Sequence, residues 1–88
     1  PLPDFSLPML KATDKQVGRT DLEGNIVLLN VWATWCIQCK YEHPYLLNIS
    51  RNPRVKLYGL NFTDEHSSAI RWLKEYEDPY VFSGFPVS

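Results

Sequence analysis

Residues 26–39 read IVLLNVWATWCIQC, and the two ends of this stretch ask for different backbone. Ile26 to Trp32 is a near-continuous apolar run rich in branched residues, the composition of a central strand covered on both faces. Cys36 and Cys39, the two cysteines of the chain, follow just past its C-terminal end. There Ile37, Tyr41, Tyr45 and Ile49 recur at helical spacing and predict a helix over 36–50. Pro44 falls inside that helix, removes the hydrogen bond to the Lys40 carbonyl and should bend it. Asn52 and Pro53 end it.

Outward from this segment the pattern repeats. VKLYGLNF, residues 55–62, is a second strand of similar length, and a strand–helix–strand unit makes a parallel pair with a right-handed crossover. Thr63 or Asp64 can cap a second helix whose apolar face is Ala69, Ile70, Leu73 and Tyr76, stopped by Asp78 and Pro79. The final YVFSGFPVS offers a short strand over Tyr80 to Phe82 and a turn at Gly84. Upstream, Pro1, Pro3 and Pro8 alternate with Leu2, Phe5, Leu7 and Leu10 in an extended lead-in that docks on the sheet. Residues 11–25 are polar, with turns at Gly18 and Gly24. The reading is one α/β domain over 1–88, β-α-β-α with an N-terminal extended lead-in.

The chain has 88 residues, 44% hydrophobic and 22% charged, with nine basic and ten acidic side chains and a formal net charge of −1. That composition suits one small globular domain with a thin core. The charges form no run of one sign, so there is no electrostatic case for nucleic acid or an anionic membrane surface. No apolar stretch approaches the ~20 residues of a bilayer span, and PLPDFSLPML has neither the basic end nor the apolar run of a signal peptide. Any anchor or export signal is expected outside these residues.

The position of the cysteines suggests their chemistry. The first turn of a helix presents unpaired N–H groups and the positive end of the macrodipole, both favouring thiolate over thiol. Cys36 is therefore expected to be the more acidic, attacking sulfur, and Cys39, one turn on and shielded, the resolving one. In such motifs the attacking pKa falls to ~3.5–7.5 from ~8.5 in a free cysteine. Glu42, one turn beyond Cys39, opposes this by repulsion or, if buried and protonated, can pass a proton to the leaving sulfur. Two other uses stay open. A structural staple across so short a loop would constrain little of the unfolded chain. A zinc site could recruit Cys36, Cys39 and His43 with His66 as a distant fourth ligand, although a second closely spaced ligand pair is missing. His43 reads more simply as an exposed helix residue and His66 as a first-turn residue of the second helix. Trp32, Trp35, Tyr41 and Tyr45 are read mainly as core and rim packing, with Trp35 placed to shape the approach to Cys36.

GNIVLLNVWATWCIQCKYEHPYL, residues 24–46, resembles the active-site segment of thioredoxin-fold proteins of the TlpA/ResA/DsbE type, whose pattern is GK-x-VLLNFWA-[ST]-WC-x-x-C-[RK]-x-E-x-P. PDFSLPML resembles that family's lead-in, and VKLYGLNFTDEHSSAIRWLKEYEDPY resembles the segment after the first helix in its DsbE (CcmG) branch. The resemblance implies a thioredoxin-like fold and a periplasmic thiol:disulfide oxidoreductase tethered to the inner membrane by an N-terminal anchor. It implies that the protein reduces the disulfide of apocytochrome c, directly or through a CcmH-type partner, and is re-reduced by a DsbD-type membrane protein. No cofactor is implied beyond the redox-active Cys36–Cys39 disulfide. By motif position Cys36 is the nucleophile, Cys39 the resolving thiol and Glu42 the acidic residue of the branch, with Trp35, Ile37 and Gln38 lining the substrate approach. A binding module that keeps the partner surface around Trp35 but lacks efficient catalysis is the alternative from a different class.

Two departures from the family pattern carry expectations. Ile37 and Gln38 stand where the family usually has a proline and a small or acidic residue, which bears on the redox potential. Set against the family pattern, residues 1–88 are also expected to stop short of the C-terminal β-β-α unit, whose entry loop carries a cis-proline opposite the cysteines. Gly84, Phe85 and Pro86 resemble the Gly-apolar-Pro of that loop, making Pro86 a candidate cis-proline, although by alignment it falls too early. In the family the hairpin pairs with the strand corresponding to Ile26–Trp32. Without it the strand is expected to expose an edge, so that either residues 1–88 are a truncated piece of the domain or the sheet is completed by a second copy of the chain.

Overall fold

A computed structural model describes residues 4–22 and 26–86. Its strands are β1 (Ser6–Met9), β2 (Ala12–Gly18), β3 (Ile26–Trp32), β4 (Val55–Asn61) and β5 (Ser83–Gly84), and its helices α1 (Ile37–Ser50) and α2 (His66–Tyr76), with a short 3-10 turn at Arg19–Leu22. They build one five-stranded mixed sheet of order β2-β1-β5-β4-β3. Strands β3, β4 and β5 are parallel, and β1 is antiparallel to both β2 and β5. The α/β class and the strand–helix–strand core are as the sequence predicts.

The lead-in docks on the sheet as expected, but residues 12–18 form β2, which the polar sequence ATDKQVG conceals. Thr13 to Gln16 are exposed and only Val17 is buried, so the strand is an antiparallel partner with no apolar alternation to announce it. The expected Tyr80–Phe82 strand is displaced to Ser83–Gly84. Residues 81 and 82 still touch the ladder, since Val81 N–H donates to the Leu57 carbonyl at 2.8 Å and Gly59 N–H donates to the Phe82 carbonyl at 2.9 Å. The expected turn at Gly84 is therefore strand, while that at Gly24 lies outside the described residues.

The largest correction concerns β3. Its bounds match the sequence reading, but it is not the central strand covered on both faces that its composition suggests; among the described residues it is the edge strand expected where no hairpin pairs with it. Ile26, Leu28, Leu29 and Val31 are 66, 40, 49 and 54% exposed. Apolar composition reports what a strand could bury, whereas burial depends on which neighbours the chain supplies. Strand β4, with β3 on one side and β5 on the other, occupies the covered position.

The core lies between the sheet and the two helices. It gathers Leu10, Trp32, Leu57, Ala69, Trp72, Leu73 and Tyr80. Trp32 stacks on Tyr80 with ring centroids 5.8 Å apart and tilts against Trp72 at 5.3 Å. Such pairs add about 0.5–1.5 kcal/mol each beyond their burial. The Trp32 indole N–H donates to Ser83 Oγ at 3.2 Å, directly over Gly59. A Cβ at Gly59 would collide with Ser83 Oγ and lie 2.7 Å from Trp32 Nε1, so the close approach of three strands needs glycine there.

Helix α1 inverts its expected face. Ile37, Tyr41 and Tyr45 are 72, 67 and 74% exposed, and the side chains packed inward are Cys39, His43 and Leu46, also at helical spacing. His43, expected to be exposed, is buried. Its Nε2 lies 2.7 Å from the Glu77 carbonyl and its ring meets Trp72 edge-on at 4.6 Å. The helix continues through Pro44.

Candidate redox site

The site forms because β3 and β4 run parallel in matched register, ending opposite each other at Trp32 and Asn61. The segments that follow them therefore emerge side by side at the C-terminal edge of the sheet, where open α/β sheets commonly place their ligands. After β3, Cys36 N–H donates to the Ala33 carbonyl at 3.2 Å and closes a turn with Thr34 and Trp35 at its centre. This turn delivers Cys36 to the N-cap of α1 in extended conformation.

Cys36 and Cys39 are joined in a disulfide with Cα atoms 5.3 Å apart. Cys36 Sγ accepts a hydrogen bond from the Cys39 N–H at 3.2 Å. In the reduced state the same N–H and the helix dipole would stabilise a thiolate on Cys36. Cys39 packs against the core. The two sulfurs therefore sit in different surroundings: one at a helix start, the other turned inward.

A cleft of about 90 Å³ opens beside the disulfide, lined by Val31, Trp32, Ala33, Trp35, Phe62 and the two cysteines. Trp35 and Phe62 are 64 and 52% exposed, so the approach to the disulfide is apolar. Ile37 and Gln38 are exposed between the sulfurs. Glu42 is exposed rather than buried, its carboxylate accepting from Gln38 Nε2 at 3.3 Å. That leaves long-range repulsion, not proton transfer from a buried acid, as its way of acting on the cysteines.

Two sequence candidates are not brought to the site. The Phe85–Pro86 bond is not cis, since the described residues contain no cis peptide bond. Pro86 follows β5, which lies on the far side of β4 from β3, so it does not face the cysteines. The Cys/His zinc set is not assembled either. His66 Nε2 lies 2.6 Å from the Leu10 carbonyl and His43 is engaged at Glu77. Among the described residues no three His, Cys, Asp or Glu side chains form a metal-binding group.

Asp64, read from the sequence only as a helix cap, turns out to belong to the site's scaffold. The N-cap of α2 is Glu65, while the Asp64 carboxylate reaches across to the other loop. It accepts from Thr34 N–H and from Thr34 Oγ, each at 2.6 Å, from Asn61 Nδ2 at 3.1 Å and from Glu65 N–H at 3.0 Å. Partial burial works to raise its pKa, but these donors outweigh burial and hold the carboxyl below its ordinary value. The sequence signal was the register itself: residues a few positions past the ends of paired parallel strands become neighbours.

Solved structures that share this architecture include two secreted thiol–disulfide proteins. A secreted thiol-disulfide isomerase from Corynebacterium glutamicum superposes with a TM-score of 0.86 at 27% identity, covering 97% of this chain and 55% of that one. A secreted Mycobacterium tuberculosis disulfide oxidoreductase described as homologous to E. coli DsbE superposes at 0.80 with 21% identity, over 92% of this chain and 59% of that one, a likeness of fold. In sequence, the thiol:disulfide interchange protein DsbE of Pseudomonas fluorescens biotype C is 45% identical over 80 residues, 91% of this chain and 44% of that protein. DsbE of Escherichia coli K12 is 42% identical over 87 residues, 97% and 46% of the respective chains. The chain thus spans about half the length of the curated relatives it matches. The architecture is thioredoxin-like, and the family model of AhpC/TSA matches residues 1–87. The chain belongs to the AhpC/TSA family.

Proposed function

We propose that the chain carries out thiol–disulfide exchange on protein disulfides. The observation that carries this reading is the placement of Cys36 at the N-cap of α1, its Sγ accepting the Cys39 N–H, beside an apolar cleft. A staple would need neither the helix start nor the cleft. The names of the relatives, thiol:disulfide interchange protein DsbE, support the same reaction.

In the reducing direction, the Cys36 thiolate attacks one sulfur of a substrate disulfide. That bond breaks, a substrate thiolate leaves, and a mixed disulfide joins Cys36 to the substrate. Cys39, deprotonated, then attacks Cys36 Sγ, releases the second substrate thiolate and restores the Cys36–Cys39 disulfide. Two electrons pass to the substrate, whose thiolates take up protons from water. A dithiol donor resets the pair. Trp35, Ile37 and Gln38 line the approach, and the Glu42 carboxylate tempers the acidity of the cysteines by repulsion.

On the DsbE resemblance, the substrate is the disulfide of an apocytochrome c or of its CcmH-type maturation partner, and the donor is a DsbD-type membrane protein. The compartment implied by the same resemblance is the periplasm. No described helix is long and apolar enough to cross a membrane. An anchor to the inner membrane would accordingly belong to another part of the protein.

Trapping tests the reading. Cys39→Ala, reduced and mixed with an oxidised Cys-x-x-Cys-His peptide, is expected to accumulate a mixed disulfide at Cys36 that dithiothreitol releases. A Cys39→Ala protein that binds the peptide without forming an adduct would overturn exchange in favour of a binding module.

A further inference from the structure

The turn that presents Cys36 is held from outside at both of its central residues. Thr34 gives its backbone N–H and its hydroxyl to the Asp64 carboxylate, each at 2.6 Å. Trp35 gives its indole N–H to the Thr63 carbonyl at 2.8 Å. Both acceptors belong to the loop between β4 and α2. That loop is itself fixed, because the Asp64 carboxylate also takes the Nδ2 of Asn61, a fully buried residue at the end of β4, and Phe62 N–H donates to the Trp32 carbonyl at 3.0 Å. Thr63 adopts φ 48°, a left-handed conformation that is strained for a non-glycine residue. The backbone accepts this strain at the residue whose carbonyl receives Trp35.

Asp64 also gives up a simpler use. Placed just before α2, it would ordinarily cap that helix, but the N-cap of α2 is Glu65 and makes no side-chain cap hydrogen bond. Two short, charge-assisted bonds to one residue of another loop are a strong and directional tether. We infer that Asp64 is a positioning residue for Cys36, acting through Thr34 to hold the 33–36 turn so that Cys36 Sγ stays over the first N–H groups of α1. The inference rests on the exchange reading, in which Cys36 is the attacking sulfur. Asp64 does not touch the reacting atoms; its effect passes through the turn.

The charge of Asp64 and its geometry predict opposite results, which makes the inference testable. A carboxylate acting only as a nearby negative charge raises the Cys36 thiol pKa, so removing it would lower that pKa. A carboxylate acting by position keeps the sulfur within reach of its stabilising N–H, so removing it would raise the pKa. The experiment measures the rate of iodoacetamide alkylation of Cys36 against pH, in the reduced chain carrying Cys39→Ala. With Asp64→Ala added, the midpoint is expected to move up by about one pH unit, an equilibrium change of about tenfold. Thr34→Val, which leaves every charge in place, should move it in the same direction, and Thr34→Ser should restore the parent profile. Non-additive effects of Asp64→Ala and Thr34→Val would mark a shared tether.

A midpoint that is unchanged or lowered in Asp64→Ala, or unchanged in Thr34→Val, would overturn the inference. If Asp64→Ala does not fold, Thr34→Val decides alone. Failure of the parent Cys39→Ala protein to form a mixed disulfide with the peptide would count against the exchange reading instead. The alkylation profile does not depend on that substrate.

Discussion

Strands β3 and β4 are seven residues each, pair residue for residue in parallel, and carry similar apolar sequences, IVLLNVW and VKLYGLN. Their fates differ. Leu28 and Leu57 stand opposite each other in the register, yet Leu28 is 40% exposed and Leu57 only 1%. Strand β4 is flanked on both sides and roofed by the helices, whereas β3 has one neighbour among the described strands. Burial is thus a property of place in the sheet and not of composition. The difference also assigns labour: β4 anchors the core, and β3, less covered, carries the turn that presents the disulfide.

The sharpest way to break this comparison is to truncate the paired leucines. Leu57→Ala should cost about 2–5 kcal/mol, the range for a fully buried leucine whose cavity cannot collapse. Leu28→Ala, the same chemistry one strand away, should cost about half as much or less, since much of its surface already meets water. Urea denaturation of both variants measures this. Equal losses would mean that the β3 edge is covered in solution by something other than these elements.

How legible this arrangement was depends on which forces set it. The parallel β3–α1–β4 unit and the cysteines at the start of α1 were readable, because strand runs, helix length and crossover handedness are local or topological. What misled was the choice of face and neighbour. Ile37, Tyr41 and Tyr45 have the helical spacing of a buried stripe, but so do Cys39, His43 and Leu46, and only the packing of Trp72 decides between them. The polar β2 has no alternation to betray it, and Asp64 looked like a cap because its true partner, Thr34, is 30 residues away. Sequence spacing reports contacts along one element; contacts between loops come from register.

A second prediction concerns the bond that ties β3 to the core. Asn30 Nδ2 donates to the Tyr80 hydroxyl at 2.9 Å, linking the exposed strand to a ring stacked on Trp32. Burial pushes the Tyr80 hydroxyl up to about 12; the Asn30 hydrogen bond pulls against it, and the Asp78 carboxylate adds to the rise. The unfolded chain ionises near 10. Because the folded pKa is the higher, the stabilisation is fully present below pH 10 and is lost as pH rises through 12, a total of roughly 2–3 kcal/mol. Thermal melts from pH 8 to 12 should show this decline. Tyr80→Phe should remove the Tyr80 share of it while starting lower, since Asn30 loses its partner. An unchanged alkaline slope in that variant would assign the decline to other groups.

The smallest effect on stability is expected at the exposed strand itself, and it sharpens the comparison most economically. Val31 is 54% exposed on β3, so Val31→Lys should change stability by only about 0.5 kcal/mol. An open edge with apolar side chains favours pairing with another strand, and an inserted lysine opposes it. The 88-residue chain should therefore sediment as a concentration-dependent mixture extending above its 10.2 kDa monomer, and Val31→Lys should shift it toward monomer. A parent chain that stays monomeric at all concentrations would show that exposure of β3 alone does not recruit a second copy. The contrast with β4 would then be one of burial without consequence for assembly.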